Sequence, residues 1–223
     1  MLYLPVTPHT YRRVTSQSSA MTAALPSHAK KAEQADLAAR PPRERILVVA
    51  RDLFYRHGLH SVGVEAIAET ALTNKMTLYR HFKSKDELIV AYVSQLADEG
   101  DAVWSRIAEV QPDKRLDAWV SHVEGVLTEK FGRGCALANA AVELQPEHRA
   151  RAVIEAYKQR KRNHLVSLFK AANYREPELL ADEVFLLFEG ARISIQCGGK
   201  GPASRAVRML RDLLATAPRR VRK

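Results

Sequence analysis

Between Asn74 and Glu87 the chain carries a dense run of side chains that can do recognition chemistry. At helical spacing Leu78 and Phe82 fall inward, which leaves Lys75, Met76, Thr77, Tyr79, Arg80 and His81 outward. Lys85 follows at the start of the next segment. Hydroxyls, Tyr and Lys suit phosphate oxygens, Lys and Arg suit guanine edges, and Met or a Thr methyl suits a thymine methyl. These are the needs of a helix that reads a DNA groove. Catalytic spacing is missing: there is no His-Glu-x-x-His, Gly-x-Ser-x-Gly or Cys-x-x-Cys. Gly198-Gly199-Lys200-Gly201 fails as a phosphate loop, because Gly follows the Lys where Ser or Thr is required. His57, His60 and His81 come nearest to a histidine cluster. No catalytic residue, no metal site and no cofactor is expected.

The elements that must position the run are helical. Ile46, Val49, Ala50, Leu53 and Phe54 recur at one helix face; Pro42 suits the first turn and Gly58 ends it. A short helix from about Val64 to Ala71 buries Val64, Ile67 and Ala68, with Gly63 at its N-cap. Asn74 caps a third. Ser84 and Glu87 make the Ser-x-x-Glu of a capping box, opening a long helix to about Val110. Two short helices joined by a tight turn and leaning on a third form a helix-turn-helix, whose second short helix enters the major groove. The rest also reads as helices: one carrying Trp119 and Phe131, a short segment from Cys135 to Leu144, a charged helix over roughly Glu147 to Asn173, and two after Pro177 and Pro202. In the charged helix Val153, Tyr157, His164, Leu165, Leu168 and Phe169 are expected inward. No period-2 strand appears, so the fold class is all-α: a three-helix N-terminal domain and a body of about six helices.

The stretch Ile67-Ala68-Glu69, then Thr77-Leu78-Tyr79-Arg80-His81-Phe82-Lys83-Ser84-Lys85-Asp86-Glu87-Leu88, resembles the signature of TetR-type transcriptional regulators. The likeness covers about Arg43 to Tyr92. It implies that Lys75 and Thr77 contact bases or phosphates, that Tyr79 and His81 clamp phosphates, and that Lys85 meets the backbone. The chain departs from the pattern at four positions. Leu72 replaces the usual turn Gly, Thr73 a β-branched apolar residue, Gly63 a Ser or Thr cap, and Met76 a small residue or Gly in the reading helix.

Beyond residue 92 the resemblance implies a divergent helical body with an apolar pocket for a small-molecule effector. Candidate lining residues are Trp119, His122, Val123, Val126, Phe131, Cys135, Asn139, Tyr157 and His164; Trp119 and His122 share a face at i, i+3. The last two helices are expected to pair with a second copy through Val184, Leu187, Phe188, Ala191, Ile195, Val207, Leu210 and Leu214. A two-fold dimer would set two reading helices about 34–36 Å apart on a pseudo-palindromic double-stranded operator. The start of Gly132 to Asn139 reads either as a structural turn or as an anion site. Cys135 has a second reading as a redox sensor.

The chain has 223 residues and a formal net charge of +10. That charge points to a polyanionic partner, but its distribution does not. Residues 41–90 hold eight cations against six acids, while most of the excess lies in residues 1–40 and 201–223. Two cysteines exclude a disulfide scaffold and suit free thiols. No apolar run approaches the roughly 18–20 residues of a membrane span, so a cytoplasmic protein with no membrane partner is expected. Domain boundaries are expected at 1–40 (a tail in which Met21 is a second candidate start), 41–88 (helix-turn-helix), 89–217 (body) and 218–223 (basic tail). The leading expectation is a ligand-responsive homodimeric repressor. The alternative is a helical enzyme or protein-interaction module with a basic surface and no operator.

Overall fold

The computed structural model describes residues 35–128, 133–198 and 200–220. Phe131, Gly132, the tail before residue 35 with Met21, and residues 221–223 lie outside them.

Helix α1 spans Pro42–His57 and buries Ile46, Val49, Ala50 and Phe54, the period read from the sequence. Gly58 ends it at φ +87°, a backbone state that glycine adopts cheaply. Helix α2 spans Val64–Thr70 and α3 spans Lys75–His81. Helix α4 runs from Lys85–Glu109. Ser84 Oγ accepts the Glu87 amide at 3.1 Å, while the Glu87 carboxylate accepts the Lys83 amide at 2.7 Å. The reciprocal arm of the capping box thus reaches one residue further back than the usual pairing.

A 3₁₀ turn at Pro112–Lys114 leads into α5, Arg115–Thr128. Then come α6 (Ala136–Glu143), α7 (Arg149–Ala171), α8 (Pro177–Gln196) and α9 (Lys200–Thr216). In the body α4 packs on α7, α7 on α8, α8 on α9, and α9 on α5. Their shared core holds Trp104, Trp119, Leu165, Phe169, Val184, Phe188 and Leu210. Burying each such side chain stabilises the fold by about 1.5–3 kcal/mol relative to exposure. No strand occurs among the described residues; one isolated bridge joins Tyr174 and Arg219.

Three features bear on the expected boundaries. The one at 88/89 falls inside α4, the long helix expected from Ser84 to about Val110, so one helix serves both the N-terminal trihelix and the body. Residues 35–39, placed in the tail, are helical. Residues 218–220 are tied down rather than loose. Arg219 donates to the Tyr174 hydroxyl at 3.0 Å with its guanidinium 4.6 Å from that ring's centroid, and the Arg220 amide donates to the Asn173 carbonyl at 2.7 Å.

Candidate nucleic-acid interface and internal cavity

The turn before α3 is built by backbone hydrogen bonds. The Thr73 amide donates to the Ala68 carbonyl at 2.9 Å and the Leu72 amide to that of Glu69 at 3.1 Å. This is the Schellman closure, which needs a left-handed residue after the cap. Leu72 supplies it at φ +53°, so the turn forms without the expected glycine. From α1, Arg45 braces the turn by donating to the Ala71 and Leu72 carbonyls at 3.0 and 3.2 Å. Asn74 then caps α3: its side-chain oxygen accepts the Thr77 amide at 2.9 Å. Leu78 and Phe82 are buried and anchor the helix. Arg43 lies over the Phe82 ring at 5.1 Å from the centroid.

What remains outward is the predicted surface, with refinements. Met76 is 85% exposed, and Tyr79, Arg80 and Lys83 are exposed. Thr77 is half-buried. The Lys75 ammonium is ion-paired with Glu65 of α2 and lies 5.9 Å from the Tyr79 ring centroid. That hydrogen bond raises the Lys75 pKa and lowers that of Glu65. His81 is half-buried, and its Nε2 is buried without a hydrogen-bond partner, so that nitrogen does not face a surface phosphate. Lys85 is half-buried at the start of α4, where desolvation lowers its pKa.

The trihelix is locked to the body by two sets of contacts. The Glu143 carboxylate, at the end of α6, accepts the Leu59 and His60 amides at 2.6 and 3.2 Å, and the Glu143 carbonyl meets His60 Nε2 at 2.7 Å. A Cβ at Gly58 would stand 2.9 Å from that carboxylate, so the glycine leaves room for the clamp. Arg133 donates from its guanidinium to the Tyr55 carbonyl at 3.0 Å, and its amide to the Tyr55 hydroxyl at 3.1 Å.

Inside the body lies a cavity of about 290 Å³. Of the predicted lining, Trp119, His122, Val123, Val126 and Tyr157 are in its wall. Cys135 and Asn139 are not. Cys135 is buried as a free thiol at the N-cap of α6, a placement that keeps it from solvent oxidants. Asn139 donates to the Arg133 carbonyl at 2.6 Å and accepts from Gln196 at 3.0 Å. His164, expected inward, is exposed and stacks on Trp104, 5.0 Å between centroids. Helix α7 turns that position outward while its neighbour Leu165 is buried.

The cavity also has a charged edge that spacing did not suggest. Lys161 and Arg192 line it. The Lys161 ammonium donates to Glu189 Oε1 at 3.0 Å, and Lys158 binds the other oxygen at 2.6 Å. Burial pushes the Lys161 pKa down to about 8, against the attraction of Glu189. Glu189 is held low by Lys161 and Lys158 despite its own burial. Desolvation pushes the Tyr157 hydroxyl up to about 12. The one available signal was the charged pair Glu189 and Arg192 inside the otherwise apolar stretch Val184 to Ile195.

The expected dimer residues need correction. Val184, Phe188, Ala191, Leu210 and Leu214 are buried within the chain, and so offer no surface to a second copy. Leu187, Ile195 and Val207 are half-buried. The outward apolar residues of α8 and α9 are Leu179, Leu186, Ile193 and Met209. Among the described residues no helix is long and apolar enough to cross a membrane, and no group of three His, Cys, Asp or Glu is placed to hold a metal ion.

Residues 46–92 match the family model described as bacterial regulatory proteins, tetR family. The chain is 34% identical over 95 residues to the HTH-type transcriptional regulator UidR of Escherichia coli K12, a match covering 43% of this chain and 47% of that protein. It is 38% identical over 56 residues to the HTH-type transcriptional activator FasR of Mycolicibacterium smegmatis, covering 25% of this chain and 26% of that one. The chain thus spans about half, or less, of the length of these curated relatives. Solved structures match further along it. SCO4454, a TetR-family transcriptional regulator from Streptomyces coelicolor, superposes with TM-score 0.72 at 25% identity, over 79% of this chain and 95% of that one. A TetR-type regulator from Streptomyces avermitilis gives 0.68 at 28%, over 81% and 100%.

Proposed function

We propose, from the match of residues 46–92 to the model of the tetR family of bacterial regulatory proteins, that this chain is a sequence-specific DNA-binding regulator of transcription of that type. It acts as a cytoplasmic homodimer, represses from a pseudo-palindromic operator, and releases DNA when a small molecule enters the body. It is not an enzyme. The observation that carries the reading is α3: a short helix anchored by Leu78 and Phe82, capped by Asn74, with Met76, Tyr79 and Arg80 exposed. Phosphate contacts from Tyr79, Lys75 and Lys85 would set register, and Thr77, Met76 and Arg80 would read base edges.

Helix α4 supports a route from effector to DNA. It starts at Ser84 beside α3, and its Leu96, Gly100, Val103 and Trp104 line the cavity. A ligand that tilts α4 changes the spacing of two reading helices in a dimer. The shift in affinity can be no larger than the ligand's preference for one state over the other. Leu186, Ile193 and Met209 offer α8 and α9 an apolar face for the second copy.

A mobility-shift titration on the DNA flanking the gene tests the reading. The expected result is a sequence-selective shift at moderate salt, weakened about tenfold or more by Thr77→Ala and Tyr79→Phe in folded protein. A folded dimer that gives no selective shift refutes it.

A further inference from the structure

Lys161 and Arg192 line one edge of the cavity. Behind it two ammonium groups, Lys158 and Lys161, share a single carboxylate, Glu189. Glu99, the acid in the lining, is already ion-paired with Arg51 of α1. The edge therefore carries a cationic excess in a desolvated setting, where an added anion gains most. The Lys161 ammonium is pinned by Glu189 on one side and lies 4.0 Å from the Phe188 ring centroid on another. Apart from Glu99, His122 and Tyr157, the remaining walls are apolar and aromatic, with Trp104 and Trp119 stacked 6.5 Å apart. A volume of about 290 Å³ sits at the lower end of ligand pockets, which suits a small molecule.

We propose that the cavity takes a small, largely apolar monocarboxylate, its anion held by Lys161 and Arg192 and its apolar body packed between Trp104, Trp119 and Phe188. This names the effector class and rests on the regulator reading above. A cationic ligand meets like charge at that edge. A neutral one leaves the ammonium with no more than a shared carboxylate. A carboxylate supplies a second anion beside two lysines that share one, and makes charge-assisted hydrogen bonds, roughly twice as strong as neutral ones. It also competes for Arg192, which donates to the Gly134 carbonyl at 3.3 Å. That same carbonyl accepts the Tyr55 hydroxyl of α1 at 3.4 Å. Occupancy at the anion edge thus bears directly on a link between body and trihelix.

Trp104 and Trp119 are the chain's two tryptophans and both line the cavity, so their fluorescence reports entry without DNA. The probes are phenylbutanoate, its neutral amide and phenylbutylamine, titrated into the full-length protein. Saturable quenching by the carboxylate, about tenfold tighter than by the amide and tighter still than by the amine, is the expected result. Lys161→Met cuts the preference for carboxylate over amide several-fold while the amide still binds, and Lys161→Arg restores part of it.

The groups around Lys161 are Glu189 and Arg192 of α8, Tyr157 and Lys158 of α7, Glu99 of α4, His122 of α5 and the Cys135 thiol at the start of α6. With Lys161 titrating near 8, carboxylate affinity falls about tenfold per pH unit above that point, because binding then requires proton uptake. Equal or tighter binding of the amide or amine, no saturable response to the carboxylate, or an intact carboxylate preference in folded Lys161→Met overturns the proposal. Should that variant fail to fold, the comparison of three probes on the native protein decides alone. The measurement uses no DNA, so failure of the operator assay and failure here are distinguishable.

Discussion

Leu72 pays an avoidable steric cost at φ +53°. A left-handed backbone costs an L-residue about 1–2 kcal/mol, and Leu72 is 52% exposed, so its side chain returns little. Leu72→Gly is expected to stabilise by up to about 1 kcal/mol after the entropy glycine adds to the unfolded chain; chemical denaturation measures it. A second consequence concerns Lys75. Its ammonium is neutralised by Glu65 and must exchange that partner for DNA. Glu65→Gln removes both the competitor and an acid near the phosphates. Operator affinity should rise roughly three- to tenfold, while an unchanged affinity would place Lys75 outside the interface. At this scale the outward residues of α3 were legible because its amphipathic split leaves few inward positions. The Lys75–Glu65 pair was not, since ten residues and a turn separate its members.

Among the elements, α4 carries the most consequence, and Gly100 fixes how close α7 can come. A Cβ there would stand 2.2 Å from the Tyr157 hydroxyl. Alanine improves helix propensity by about 1 kcal/mol, yet overpacking costs about 1–3 kcal/mol. Gly100→Ala is expected to destabilise on balance and to displace the Tyr157 ring at the cavity wall. A double-mutant cycle with Tyr157→Ala should show coupling of about 1 kcal/mol or more; additive effects would mean that the two helices yield freely. The clamp at Glu143 gives a parallel expectation. Glu143→Ala leaves the Leu59 and His60 amides without their carboxylate and should cost about 1–3 kcal/mol in thermal unfolding.

For the molecule as a whole, the +10 charge says little about the site, because the helices that would meet DNA hold eight cations and six acids. The placement of a few of them matters more. Lys161 is a charge retained against stability. Its pKa in the fold, about 8, lies below the ordinary lysine value of 10.5, so between those values the unfolded chain binds more protons. Stability from this group therefore rises as pH climbs from about 8 to about 10. Lys161→Met should flatten that rise and stabilise the protein at neutral pH by about 1–3 kcal/mol. Glu189 keeps Lys158 as its partner in that variant. Assembly gives the other test at this scale: Leu186→Glu and Met209→Glu should shift sedimentation from dimer to monomer, while an unmoved dimer would place the interface elsewhere.

The sequence alone determined the helices and their ends, since apolar period, Pro42, Gly58, Asn74 and Ser84 act over one or two turns. It determined which side chains of α3 turn outward for the same local reason. Only the tertiary structure decided which apolar faces of α8 and α9 turn inward. The choice between Val184 with Phe188 and Leu186 with Ile193 depends on what α5 and α7 present to them. It alone brought Lys161 of α7 and Arg192 of α8 to one cavity edge and turned His164 away from it. Burial and ion pairing between distant helices are properties of packing, and no spacing along one helix encodes them.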